Sequence, residues 1–159
     1  MGNLIEVRNL KKYFKTPSGY LHAVDDVSFS ISAGSTLGVV GESGCGKSTL
    51  GRVIIRLLDS TDGTILFNGQ DITNVKETKA LRREMQIVFQ DPFASLNPRM
   101  SVSEIIGEPL HIHNICKGAE LQKRVEELMD TVGLAQRFAS SYPHELDGGR
   151  RQRIGIARA

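Results

Sequence analysis

One short segment of this chain, residues 41–49, has the residue types and spacing to do chemistry. It reads Gly41, Glu42, Ser43, Gly44, Cys45, Gly46, Lys47, Ser48 and Thr49, which fits the pattern G-x-x-x-x-G-K-[ST]. Its glycines let successive backbone N–H groups turn towards phosphate oxygens. Lys47 adds a positive charge for β- and γ-phosphates, the Ser48 hydroxyl can ligate Mg²⁺, and Thr49 can hydrogen-bond an α-phosphate. The segment predicts a site for nucleotide phosphates and magnesium, and we name it the phosphate loop.

A phosphate loop must be positioned by a strand before it and a helix after it. Residues 36–40 form a short continuous apolar run, which is typical of a strand buried on both faces of a parallel sheet. Residues 47–58 repeat apolar side chains with a helical period. Residues 85–89 are a second apolar run that leads into Gln90, and Pro92 is expected to stop that strand. The order of these elements predicts an α/β fold around the loop.

The other elements complete an arm and a helical segment. Residues 4–10 and 23–32 partly alternate apolar and polar side chains, and Asn68-Gly69 favours a tight hairpin turn, so a small antiparallel β arm is expected. Residues 75–84 are predicted to be helical. Further on, Ser101 and Glu104 have capping-box spacing, and a helix over residues 120–132 should end at Gly133, before a last helix around Ile154.

Bulk composition predicts one soluble domain and excludes several classes. The 159 residues are 40% hydrophobic and carry a net charge of only +2, so charge indicates neither a nucleic-acid binder nor a membrane-surface protein. Cys45 and Cys116 are too far apart for a zinc site or a disulfide framework, and Cys45 is interpreted as a small residue in a tight turn. With no signal peptide or bilayer-length apolar run, a cytoplasmic location is expected.

Three further segments indicate a family. They are an aromatic after the first strand, Gln90 after the run at 85–89, and the segment Leu146, Asp147, Gly148, Gly149 and Arg150. Together with the phosphate loop they resemble the ATP-binding cassette family. That resemblance implies that Phe14, or its neighbour Tyr13, stacks on adenine and that Gln90 ligates Mg²⁺ together with Ser48. Residues 146–150, the signature segment, would contact the γ-phosphate of ATP held by a second subunit.

The resemblance can be narrowed by two runs, residues 90–100 and 142–145, which are similar to those of the dipeptide/oligopeptide/nickel importer ATPases. Residues 47–52 are similar to the second ATPase subunit of a peptide permease. The implied partners are a second ATPase subunit, as a heterodimer, and transmembrane permease subunits at the cytoplasmic face of the membrane, with no nucleic acid. The permease would dock on the helical segment and the Gln90 loop. The alternatives are a non-catalytic nucleotide-binding module and a soluble cassette protein acting on nucleic acid or ribosomes.

The expected fold is therefore a P-loop core with a parallel sheet and a β arm over residues 1–100, followed by a helical subdomain over residues 101–159.

Two positions depart from the family, since Asp147 replaces a serine and Arg150 a glutamine. A carboxylate cannot donate to phosphate but is a good helix N-cap. The acidic Mg²⁺ partner and the water-activating glutamate of the family are expected beyond Ala159. The prediction is a C-terminally truncated chain with no catalytic residue, which binds ATP but hydrolyses it no faster than background.

Overall fold

The computed structural model describes residues 2–91 and 93–159, and the chain forms two compact units. The first unit extends to Arg82 and the second begins at Arg83. The first contains four antiparallel strands in the order β2-β1-β3-β4. Their bounds are β1 Asn3–Thr16, β2 Gly19–Ser32, β3 Asp62–Phe67 and β4 Gln70–Asp71. Two helices follow the phosphate loop, α1 Lys47–Ile54 and α2 Lys79–Glu84.

Strands β1 and β2 form a long hairpin with a bulge beside the phosphate loop. Tyr13 pairs with His22 and Lys12 pairs with Val24, so Ala23 is one extra residue on β2. An extra residue of this kind lies outside the regular hydrogen-bond ladder. The bulge therefore leaves the Ala23 backbone free to contact another part of the unit.

The second hairpin, β3 to β4, has the predicted turn. Asn68 has φ 50° and Gly69 has φ 77°, so both central residues are in the left-handed region that a tight hairpin turn requires. The predicted antiparallel β arm is confirmed. Behind it the first unit buries apolar side chains of its strands and helices, namely Val7, Leu10, Val24, Leu50, Val53, Ile65, Ile72 and Leu81.

The two predicted parallel strands are not formed, and the prediction of a parallel sheet is wrong for this structure. Residues 36–40 and 85–89 have no regular secondary structure, and Val40 is 96% exposed. A strand inside a parallel sheet needs a hydrogen-bonded neighbour on each side. Among the described residues no strand pairs with either segment. Both segments are apolar as expected, and most of their apolar side chains are exposed. The Pro92 that was expected to end the second strand lies outside the described residues.

Helix α1 is shorter than the predicted span of residues 47–58. Arg56 has φ 59°, and the N–H groups of Leu57 and Leu58 both bond back to the carbonyl of Arg52, which ends the helix. Arg82 of α2 donates to the carbonyls of Ile55 at 2.8 Å and Arg56 at 2.7 Å. This cation satisfies acceptors at the negative end of α1 and so fixes the end of the helix that follows the phosphate loop.

The second unit is a group of helices, with bounds α3 Pro92–Ser95, α4 Val102–Ile112, α5 Ala119–Thr131 and α6 Gly148–Arg158. The predicted helix over residues 120–132 is confirmed to within one residue, and Gly133 follows it with φ 67°. A core of ten buried side chains joins these helices, namely Leu96, Val102, Ile105, Ile106, Val125, Met129, Leu134, Leu146, Ile154 and Ala157.

Helix α4 begins with the predicted capping box. The Ser101 N–H donates to the Glu104 carboxylate at 2.7 Å, and the Glu104 N–H donates to the Ser101 hydroxyl at 3.4 Å. Donation from the Ser101 backbone and then from its hydroxyl lowers the pKa of Glu104. The contribution of the Glu104 carboxylate to folding stability is complete above the ordinary pKa of glutamate. It is lost as the pH falls through the lowered pKa of Glu104.

Replacing Ser101 with alanine is expected to lower the free energy of unfolding of this chain by about 1 kcal/mol, because the cap of α4 is removed. Urea unfolding at neutral pH measures the change. Ser140→Ala is the matched control, since Ser140 is exposed and its hydroxyl makes no hydrogen bond among the described residues. Equal losses for the two variants would contradict a stabilising cap at Ser101.

Two features are absent from the described residues. No helix there has the length and apolar character needed to cross a membrane. No group of three or more histidine, cysteine, aspartate or glutamate side chains there is arranged to hold a metal ion.

Candidate nucleotide-binding site

The phosphate loop surrounds the amino group of Lys47, the first residue of α1. Its Nζ donates to the carbonyls of Gly41 at 2.8 Å and Glu42 at 2.5 Å, and it lies 3.5 Å from the Cys45 sulfur. The loop is exposed from Gly41 to Cys45. A flexible ammonium held by neutral carbonyls can turn towards an entering anion, so this arrangement fits a phosphate ligand.

Gly46 holds the loop against the β1/β2 hairpin. Its φ is 94°, and a Cβ built on it would lie 1.9 Å from the carbonyl oxygen of Ala23. No larger residue fits there without moving backbone. The bulge at Ala23 thus meets the loop at the residue before α1, and the close contact explains why this position requires glycine.

The first backbone amides of α1 are not occupied by any described side chain, and this decides whether a nucleotide fits the site. Gly46 is the N-cap of α1, and no side chain hydrogen-bonds the first amides. Ser48 is exposed, and its hydroxyl makes no hydrogen bond among the described residues. Free amides at the positive end of a helix bind anions, and a free hydroxyl oxygen can ligate Mg²⁺. These residues therefore fit the phosphates and the metal predicted for them.

The structure distinguishes the two aromatic candidates on β1. The Tyr13 hydroxyl donates to the Asp25 carboxylate, which raises the pKa of Tyr13 to about 12, and its ring stacks on His22 with centroids 3.8 Å apart. Phe14 is half-buried, and the ammonium of Lys12 lies 5.0 Å from its centroid. Tyr13 is already engaged by protein groups, which favours Phe14 as the aromatic for a base.

Gln90 lies in the second unit, exposed, just before α3. The adjacent Asp91 caps that helix by accepting the Phe93 N–H at 2.8 Å. The Phe93 ring lies 3.9 Å from the Arg151 guanidinium, and Arg158 donates to the Ser95 carbonyl at 2.7 Å. Helix α6 therefore holds the segment that follows Gln90. The metal-ligating role of Gln90 stays a prediction.

The signature segment is anchored by Leu146, which is 4% exposed, and it begins α6 with Asp147 as N-cap. The Asp147 carboxylate accepts the Arg150 N–H at 2.9 Å and also pairs with the Arg150 guanidinium at 2.5 Å. The interpretation of Asp147 as an N-cap is confirmed. Its hydrogen bond from the Arg150 backbone lowers the pKa of Asp147, so it is ionised at neutral pH.

The arginines of α6 make structural contacts that the sequence does not predict. The Arg151 Nε donates to the Leu146 carbonyl at 2.8 Å. Arg153 donates to the carbonyls of Val132 at 2.9 Å and Gly133 at 3.0 Å, which caps the end of α5. The only sequence signal was the spacing of arginines on one helix, and it does not identify acceptors distant in sequence.

Comparisons with known proteins now give the family. The chain is 58% identical over 160 residues to "Oligopeptide transport ATP-binding protein OppF" of Bacillus subtilis, and 55% identical over 166 residues to AppF of the same organism. Each match covers 98% of this chain but only 52% and 50% of the relatives, so the chain spans about half their length.

Solved structures agree on the fold. One of them is a dimeric structure of the ATP-binding cassette MJ0796, described as a post-hydrolysis state bound to ADP and Pi. Its TM-score is 0.89 and its sequence is 30% identical to this chain. The match covers 97% of this chain and 68% of the MJ0796 chain. The predicted cassette fold and the resemblance to peptide-importer ATPases are both confirmed. The family model described as "ABC transporter" matches residues 24–159, and the chain belongs to this family.

Proposed function

We propose that this chain binds MgATP at the phosphate loop and is part of an ATPase subunit that drives the import of oligopeptides. The observation that carries the proposal is the open N-terminus of α1 with Lys47 beside it, held in position by the contact of Gly46 with Ala23. Free amides, one mobile cation and one free hydroxyl are the groups that a nucleotide triphosphate and its magnesium require.

Each group has a separate role in binding. The α1 amides and Lys47 would hold the phosphate oxygens, and Ser48 would hold the metal, which neutralises phosphate charge when it is bound. Gln90 would be a second metal ligand. Phe14 would stack on the base. The signature segment would face the nucleotide of a second ATPase subunit, and hydrolysis belongs to the assembled protein.

The proposed partners follow from the family and from the second unit. The relatives are named oligopeptide transport proteins, and the neighbouring cassette structure is dimeric. A groove of about 660 Å³ lies between α4 and α5, and its lining includes Leu121, Val125, Glu104 and Glu108. A permease at the cytoplasmic face of the membrane would dock on this helical unit, and a heterodimeric second ATPase would complete the assembly.

Two measurements test the proposal. Isothermal titration calorimetry of the purified chain should detect binding of MgATP, and no detectable binding would overturn the nucleotide site. Affinity purification from cells should recover a membrane permease and a second ATPase. Recovery of nucleic acid or ribosomes in their place would instead favour a soluble cassette protein.

Replacing Phe14 with alanine is expected to weaken ATP binding by about 1–3 kcal/mol, the usual contribution of an aromatic stacked on a base. Binding of inorganic triphosphate should stay nearly unchanged, because that ligand has no base. Leu21→Ala is a matched control, since Leu21 pairs with Phe14 across the hairpin and is 58% exposed. Equal losses for both ligands in Phe14→Ala would contradict stacking.

A further inference from the structure

Phosphate roles are predicted for the N-termini of two helices, α1 and α6, and the two differ in their N-cap residues. At α1 the N-cap is Gly46, and no side chain bonds the first amides. At α6 the N-cap is Asp147, whose carboxylate accepts the Arg150 N–H at 2.9 Å. A Cβ built on Gly149 would lie 3.4 Å from the same oxygen. The carboxylate therefore lies over the first turn of α6, where an anion would otherwise bind.

Further contacts hold the Asp147 carboxylate in that position. Its other oxygen pairs with the Arg150 guanidinium at 2.5 Å, and this guanidinium lies 4.7 Å from the Phe138 ring. Arg137 lies 4.9 Å from the same ring. A guanidinium is a good partner for phosphate, but that of Arg150 is directed to Asp147. The backbone amide and the guanidinium of Arg150, at the start of α6, are therefore already paired with the Asp147 carboxylate.

We propose that Asp147 closes the N-terminus of α6 to phosphate, so that the signature segment of this chain does not hold the γ-phosphate of a nucleotide bound by a second subunit. This inference rests on the proposed function, which supplies the second subunit. A carboxylate and a phosphate compete for the same amides, and their like charges repel each other. In a dimer of two ATPases the site that uses this α6 therefore lacks the contact between this helix and the γ-phosphate.

A titration of the full ¹⁵N-labelled chain with inorganic triphosphate tests the closure. The amide signals of Gly148, Gly149 and Arg150 report on α6, and those of residues 44–47 report on the phosphate loop in the same sample. In the unmodified chain only the loop amides should shift. In Asp147→Ser, which keeps a capping hydroxyl, and in Asp147→Asn, which keeps the shape, the apparent Kd at α6 should fall by about tenfold or more.

Arg150→Gln is the matched control, because it removes the cation and leaves the carboxylate over the helix, so its α6 amides should stay unresponsive. Equal responses at α6 in the unmodified chain and in both Asp147 variants, including no response in any of them, would overturn the closure by Asp147. A loop that fails to respond would overturn the proposed nucleotide site instead, and the comparison at α6 would still decide the inference.

Discussion

Lys47→Ala should weaken MgATP binding by about 1.5–3 kcal/mol, the range for a hydrogen bond to a charged group. Lys47 is the one full positive charge within the phosphate loop, and its ammonium is held by the carbonyls of Gly41 and Glu42. Alanine removes the charge and also releases these carbonyls, so both the ligand and the loop lose a partner. Calorimetry with MgATP measures the loss directly.

The control for this experiment is Lys79→Ala, which removes one exposed positive charge from the same unit, at the start of α2. Its MgATP affinity should stay within a few tenths of a kcal/mol of the unmodified chain, because exposed charges are screened by solvent and salt. Unchanged affinity in Lys47→Ala, or equal losses in both variants, would rule out the assignment of the phosphate loop.

Gly46→Ala should lower the free energy of unfolding by at least about 2 kcal/mol, through backbone strain and a steric clash together. The left-handed φ of 94° disfavours any Cβ, and that Cβ would lie 1.9 Å from the Ala23 carbonyl oxygen. The chain must move either the hairpin or the loop. Urea unfolding measures stability, and a parallel titration with MgATP should show weaker binding because the loop is displaced.

Gly44→Ala separates the two causes. Gly44 has a similar φ of 83°, but a Cβ there would meet nothing within 4 Å. This variant carries only the backbone strain, about 1 kcal/mol, and should keep most of its stability. Equal losses at the two positions would mean that the contact between Gly46 and Ala23 contributes nothing to stability.

The features that could be predicted from the sequence are those that depend on residues close together along the chain. The turn at Asn68-Gly69, the capping box of Ser101 and Glu104 and the N-cap at Asp147 all have the expected geometry. Each is decided within four residues by dihedral preference or by a local hydrogen bond. The helix after the phosphate loop follows for the same reason.

The features that could not be predicted depend on distant neighbours. Residues 36–40 have the composition of a buried strand, but a strand forms only where another pairs with it. Arg82 and Arg153 cap the ends of α1 and α5 from more than 20 residues away. At the candidate site, spacing alone predicted Lys47 and Ser48, whereas the contact of Ala23 with Gly46 appears only in three dimensions.

The contact between Ala23 and Gly46 restricts how the length of the β1/β2 hairpin can change in related sequences. An insertion of one residue between Gly19 and Ala23 would shift the hairpin register and carry the Ala23 carbonyl away from Gly46. Extra residues at Pro17 and Ser18, in the turn between the strands, would leave the register unchanged. Homologous chains should therefore vary in arm length at the turn, while the number of residues from Gly19 to Ala23 stays constant.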